Sequence, residues 1–250
     1  MEVCVDSVES ALNAYHGGAS RLELCAALSE GGLTPTPGLL RIVKSIVTIP
    51  VFVMLRLRAG GDFVYTQQEI EVMKNDATVL KDWGADGFVF GALTPSGSVD
   101  EKACREIMNI VSPMPITFHR AFDVCIDVHE ALPVIIKLGF SRILTSGQEL
   151  SAEKGISLIK KLISSANGQI IIMPGAGITK DNVGEILRQT GAVEFHASAK
   201  ISKVNNDSSN KCTKDFSREE MMYVTSVDLV KEMVKVANEL WSSRKWEINV

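Results

Sequence analysis

Cys4 and Cys25 each close a short apolar run, EVC and RLELC. Neighbouring strands of a sheet lie about 4.8 Å apart, so two thiols at similar height on adjacent strands can share one soft ion. Thiolates suit Cu(I) in particular, and Met54 at the end of VFVM offers a third soft donor. Arg21 or Arg56 nearby would lower a thiol pKa from its usual value of about 8.5. The alternative for such a pair is that both are small buried hydrophobes. No CxxC or HxxH spacing is present, which argues against a tetrahedral zinc site.

A second group of residues could move protons and hold anions. PITFHRAFD (115–123) begins as a buried strand and places His119 and Arg120 where the apolar run stops, with Asp123 close behind. Glu23 in RLEL and Glu194 and His196 in VEFH join His119 as candidate acids and bases. Arg56 and Arg58 of RLRAGGDF fall on one strand face, and paired guanidinium groups suit a carboxylate or phosphate better than a bare cation. MPGAGITKDN (173–182) follows a strand and opens a helix at Thr179 or Asp181. Gly175, Ala176 and Gly177 there let backbone N–H groups converge on an anion. Thr145 and Ser146 of LTSG could add hydroxyls to the same pocket. An ordinary strand-to-helix turn is the equal alternative for the PGAG stretch.

These residues need a scaffold that brings strand ends together. Apolar runs bounded by turn residues predict strands at 2–5, 21–24, 51–58, 86–90, 115–119, 142–145, 169–173 and 193–196. Segments with helical spacing and plausible caps separate them, and VTSVDLVKEMVKVANELW ends the series. Strict alternation implies parallel strands with right-handed crossovers, and eight such units close into an α/β fold, a single (β/α)8 TIM barrel. An open doubly wound sheet is the runner-up. No linker interrupts the pattern, so residues 1–250 are expected to form one domain. The polar stretch at about 197–225, containing KVNNDSSNKCTKD, is too long for an ordinary connection and is expected to be a flexible loop after strand 8.

Side chains alternate along a strand, and the helix-facing set should be apolar. That test sends Val3, Val5, Leu22, Leu24, Val51, Val53, Leu55, Leu57, Ile116, Phe118, Val193 and Phe195 outward. Glu2, Cys4, Arg21, Glu23, Cys25, Met54, Arg56, Arg58, Thr117, His119, Glu194 and His196 are left to point inward. Barrel interiors are normally packed with branched apolar residues, and a buried ion costs several kcal/mol unless it is paired or meets a ligand. The polar lining therefore points to a site, with a self-satisfied ion-pair network as the alternative.

Composition narrows the partners. A formal net charge of -4 lacks the basic balance that nucleic acid requires, so no nucleic acid partner is expected. The longest apolar runs are too short to span a bilayer, and no membrane partner is expected. Five cysteines, an odd number widely spaced, do not read as a disulfide framework. With no secretory signal after Met1, the expected compartment is the cytoplasm, with the nucleus as a further one.

MEVCVDS, RLELCAALSEGGLTP, GGDFVY, GADGFVFGALTPSG, ITFHRAFD, RILTSG, MPGAGI and EFHASA run in order across residues 1–199. Together they resemble the CutC family of copper homeostasis proteins, eukaryotic type. The resemblance implies a cytoplasmic (β/α)8 barrel that binds Cu(I), with Cys4 and Cys25 as the ligands and the copper ion as partner. It also implies a homo-oligomer, dimer or tetramer, which exposed apolar helix faces and the tail LWSSRKWEINV could serve. The chain departs from the family pattern in RLRAGGDF, where a proline usually stands between the arginines, and in PGAGI, where a third glycine is typical. An enzyme of unknown reaction acting on a small anionic substrate, phosphate or carboxylate, is the alternative function. No organic cofactor is indicated.

Overall fold

The computed structural model describes residues 1–203 and 222–247, the last four of these without their side chains. Eight short strands alternate with helices: β1 (Glu2–Val5), β2 (Arg21–Leu24), β3 (Val51–Met54), β4 (Gly87–Phe90), β5 (Ile116–Phe118), β6 (Arg142–Thr145), β7 (Ile171–Pro174) and β8 (His196–Ala197). All pair in parallel, in the order β7-β6-β5-β4-β3-β2-β1-β8, so first and last strands are neighbours, as a (β/α)8 barrel requires. Among the described residues no ladder joins β7 to β8. Arg21 bridges that seam instead, reaching Met173 Sδ at 3.5 Å and Glu194 Oε2 at 2.6 Å.

The helices begin where short polar side chains can accept the first free backbone N–H groups. Ser7 caps α1 (Val8–His16), Thr36 caps α2 (Pro37–Ile46), Asp100 caps α4 (Glu101–Val111) and Asp127 caps α5 (Val128–Leu138). Thr66 and Glu69 form a reciprocal capping box at the start of α3 (Gln67–Asp82). After α6 (Ile156–Ala166), α7 (Val183–Thr190) has Asn182 at its N-cap, beyond the expected Thr179 or Asp181, and the Asn182 side chain accepts the Thr179 N–H instead of capping the helix. α8 (Val227–Glu247) completes the ring.

Two apolar clusters separate outside from inside. The larger lies between strands and helices and contains Val3, Val5, Leu22, Leu24, Val51, Val53, Ile116, Phe118 and Phe195. Full burial of each such side chain stabilises by roughly 1.5–3 kcal/mol. The smaller lies inside the barrel and consists of Cys25, Phe52, Met54 and Val89. One outward assignment fails: Val193 is 62% exposed, because β8 starts only at His196 and residue 193 still belongs to the approach to it.

β3 is shorter than the 51–58 run suggested. After Leu55 the chain leaves β4, and Arg56 pairs through its backbone with Thr34. The expected loop at about 197–225 carries strand at both ends: β9 (Lys200–Lys203) and β10 (Met222–Thr225) pair antiparallel. Residues 204–221 of that loop lie outside the described residues. In the tail, Trp241 packs inward, its Nε1–H donating to Ala192 O at 3.1 Å beside Phe195. The rest of the tail, from residue 244 on, has no described side chains. No helix among the described residues is long and apolar enough to cross a membrane.

Candidate metal centre and barrel mouth

The polar lining resolves into three levels. At the amino-terminal end Arg21 and Arg142, the first residues of β2 and β6, both lie with their guanidinium carbons 5.0 Å from the Phe52 ring centroid. Arg21 Nε donates to Glu2 Oε2 at 2.5 Å and its Nη2 to Glu194 Oε2 at 2.6 Å. Arg142 Nε reaches the same Glu194 oxygen at 3.2 Å. Each buried ion here has an opposite partner, which offsets the cost of removing it from water. Burial alone would push the Glu2 carboxyl up, yet the His196 hydrogen bond and the Arg21 charge bring it down to about 2.

One level higher, one donor atom from each of Cys4, Glu23 and His196 lies within 4.8 Å of the other two. The ladders explain the meeting: Cys4 is the register partner of Glu23, and Glu2 that of His196. His196 Nδ1 lies 2.8 Å from Glu2 Oε1, and its Nε2 lies 3.7 Å from Glu23 Oε2. Burial pulls the imidazole down, but the Cys4 sulfur, Glu23 and Glu2 together hold its pKa well above the ordinary value. Burial raises the Glu23 carboxyl, and His196 offsets this only in part.

Cys25 does not stand level with Cys4, as matching positions on β1 and β2 would suggest. It lies two residues beyond Cys4's partner Glu23 and follows β2, where its Sγ donates to Glu23 Oε2 at 3.6 Å. Burial, then the Glu23 charge, push its thiol well above the usual range. The loop after β2 folds over it. Gly32, at φ +89°, comes so close that a Cβ there would sit 3.0 Å from Cys25 Sγ, so backbone conformation and space both require glycine.

At the carboxyl-terminal mouth His119 is 3% exposed, and its Nδ1 accepts the Ala121 N–H at 3.1 Å. The ring packs on Phe63 at 4.8 Å between centroids. Burial, then the Arg56 charge, lower its pKa to about 3. A neutral ring whose Nδ1 is an acceptor carries its proton on Nε2, and that buried donor has no partner among the described residues. Arg56 is buried with its two Nη atoms on the carbonyls of Glu30, Gly32 and Gly60, at 2.7, 3.0 and 2.6 Å. Its Nε, like Glu23 Oε1, Thr117 Oγ1 and Arg142 Nη1, is buried without a partner among the described residues.

The expected anion residues are therefore dispersed. Arg58 does not enter the barrel: its Nε is drawn out to Glu69 Oε1 at 2.6 Å, the same carboxylate that closes the α3 capping box, and Asp62 holds its Nη1 at 3.1 Å. Thr145 Oγ1 and Ser146 Oγ both donate to Asp123, at 2.5 and 3.0 Å, and Arg120 Nε binds the same carboxylate at 2.7 Å. Gly175 packs where a Cβ would fall 2.5 Å from Leu144 Cδ1 and 3.3 Å from His196 Cβ. Glu194 stands before β8 and His119 after β5, at opposite ends of the barrel, so these two are not brought together.

Ala176 has φ +78°. A Cβ in that conformation costs roughly 1 kcal/mol or more relative to glycine. Ala176→Gly is expected to raise stability by about 0.5–1 kcal/mol, read as a higher urea midpoint, after the entropy glycine adds to the unfolded chain. A lowered midpoint would mean that the methyl group makes contacts outweighing the strain.

A parallel eight-stranded barrel lined by a buried ion-pair chain and two thiols is the class that this fold and site define. The chain belongs to the CutC family, whose model matches residues 1–201. A human relative named copper homeostasis protein cutC homolog is 57% identical over 203 residues, covering 81% of this chain and 74% of its own. The Drosophila melanogaster relative of the same name is 46% identical over 201 residues, covering 80% and 76%. The crystal structure of CutC from Streptococcus agalactiae superposes with a TM-score of 0.75 at 32% identity, covering 79% of this chain and 97% of that one. A thiamine phosphate pyrophosphorylase from Pyrococcus furiosus, with a TM-score of 0.59 at 16% identity, shares the fold alone.

Sequence reasoning missed Arg142 and Phe52 as site residues. Arg142 opens RILT, and a charged residue at the start of an otherwise apolar strand was the available signal.

Proposed function

We propose that this chain serves copper homeostasis by binding Cu(I) inside the barrel, through Cys4 and Cys25. The observation that carries the reading is the convergence on Glu23: Cys4 is grouped with Glu23 and His196 within 4.8 Å, and Cys25 Sγ approaches the same carboxylate at 3.6 Å. Sulfur donors with an imidazole close by fit a soft monovalent ion, and the barrel wall would shield it from water and oxidants. The names of the human and fly relatives point the same way. When bound, Cu(I) would replace the thiol protons, so the residues' own task is to present two sulfurs at a fixed separation.

An anaerobic Cu(I) titration against a competing chelator tests this. Wild type is expected to bind one equivalent tightly, and a Cys4→Ser/Cys25→Ser double variant to lose that binding while keeping its fold. Affinity no better than that of an exposed thiol, or unchanged in the double variant, would remove the copper reading. A cytoplasmic or nuclear location and a homodimer or homotetramer accompany the proposal, the latter checked by light scattering.

A second reading, an enzyme for a small anionic substrate, draws on the unpartnered donors at the mouth. His119 Nε2–H and Arg56 Nε would both suit an oxygen of a carboxylate or phosphate, and Glu23 with its raised pKa would serve as the acid. The Gly175–Gly177 turn would close round it, while Arg58, Thr145 and Ser146 would have to exchange the partners they already hold.

A further inference from the structure

We propose that His196 Nε2 is a third ligand of the Cu(I) centre, and that Glu2, held by Arg21, which Glu194 anchors in turn, is the residue that orients it. The inference rests on the copper reading and deepens it. The imidazole's two nitrogens face different partners. Nδ1 lies 2.8 Å from Glu2 Oε1, and a carboxylate can only accept, so Nδ1 carries a proton in any state that keeps this bond. Nε2 is then the nitrogen left for a metal, and it faces the Cys4 and Glu23 donors. A carboxylate behind the remote nitrogen of a metal-binding histidine fixes the tautomer and makes the other nitrogen a stronger donor.

The setting of Glu2 matches that task. Its side chain has no exposed surface, so its charge must be satisfied locally. Arg21 Nε holds one carboxylate oxygen at 2.5 Å, leaving the other for the imidazole. Arg21 is itself anchored by Glu194 at 2.6 Å and by stacking on Phe52, which Arg142 covers as well. A row of buried ion pairs contributes little net stability compared with an apolar barrel floor. As a rigid support for one imidazole it has a use that an apolar floor would lack. The ring is also confined from the side of β7, where a Cβ on Gly175 would lie 3.3 Å from His196 Cβ and 3.6 Å from Cδ2.

On loading, the protons at Cys4 Sγ, Cys25 Sγ and His196 Nε2 leave to solvent and Cu(I) keeps its oxidation state. Glu23, a hard oxygen donor, is a poor ligand for Cu(I) and stays within reach as a proton acceptor.

Copper K-edge X-ray absorption on the Cu(I)-loaded wild-type protein reads the ligands directly and needs no variant. The expected spectrum contains the outer-shell scattering of one imidazole in addition to sulfur. His196→Asn is expected to lose the imidazole signature and to bind Cu(I) more weakly. Glu2→Gln is expected to keep the signature but to weaken binding by roughly 10–100-fold, the usual effect of removing such an outer partner. A sulfur-only spectrum in wild type overturns the inference and leaves the copper reading standing. No specific Cu(I) binding by wild type overturns both. Unchanged affinity in folded Glu2→Gln overturns the orienting role alone.

Discussion

Arg21→Ala is expected to destabilise the protein by about 3–5 kcal/mol, the usual cost of leaving a buried charge without its partner. Two carboxylates depend on this one guanidinium: Glu2, with no exposed side-chain surface, and Glu194, shared with Arg142. Truncation also removes the cation from one side of Phe52 and the side chain that spans the β7–β8 seam. Urea denaturation at pH 7 measures the loss, and a value below 1 kcal/mol would mean that water or rearrangement replaces Arg21 easily. Acid gives a second handle on the same pair. The folded-state pKa of Glu2 is depressed to about 2 from 4.5, so its contribution is present above pH 4.5 and is lost as the pH falls toward 2. The full difference corresponds to about 3 kcal/mol. Glu2→Gln should abolish that part of the acid dependence, and Glu2→Met with Arg21→Met should recover part of the loss seen on removing Arg21 alone, because it removes both charges together.

The scaffold was legible because the strands end in turn residues and the first five helices begin with a capping side chain. Ser7, Thr36, Thr66, Asp100 and Asp127 all cap where the helical spacing begins. The alternation test placed Val3, Val5, Leu22 and Leu24 outside and Glu2, Cys4, Arg21 and Glu23 inside, because only one phase of those strands is apolar. On VFVM it put Val51 and Val53 outside and Met54 inside, but with both phases apolar there and nearly so in RILT it gave no reason to single out Phe52 or Arg142 as site residues. Arg58 misled for a different reason. Strand phase predicts its direction only while the strand lasts, and β3 ends at Met54, after which the Glu69 capping carboxylate decides where the guanidinium goes. The meeting of His196 with Glu2 spans nearly the whole chain. It follows from barrel closure, a property of eight elements together that no local pattern records.

His119 gives the acid limb of stability a separate signature. Buried against Phe63 and repelled by Arg56, its ring has a pKa of about 3, against 6.5 for a free imidazole. The unfolded chain takes up this proton first, so the native state loses stability as the pH falls below 6.5, down to about 3. Between pH 7 and pH 4 the loss from this one group is about 3 kcal/mol. His196 behaves oppositely. Its raised pKa favours the folded state below 6.5 and stops doing so only as the pH climbs through the raised value, so it adds no slope in the acid range. His119→Asn keeps a side-chain oxygen to accept the Ala121 N–H but removes the titrating ring. Its unfolding free energy is therefore expected to fall about 3 kcal/mol less than that of wild type over the same pH interval. Glu2 titrates in both proteins and cancels in the difference. Equal slopes would mean that His119 is protonated in the folded barrel. That would replace the neutral Nε2–H donor at the mouth with a cation, and an anionic ligand there would then bind by charge rather than by a single hydrogen bond.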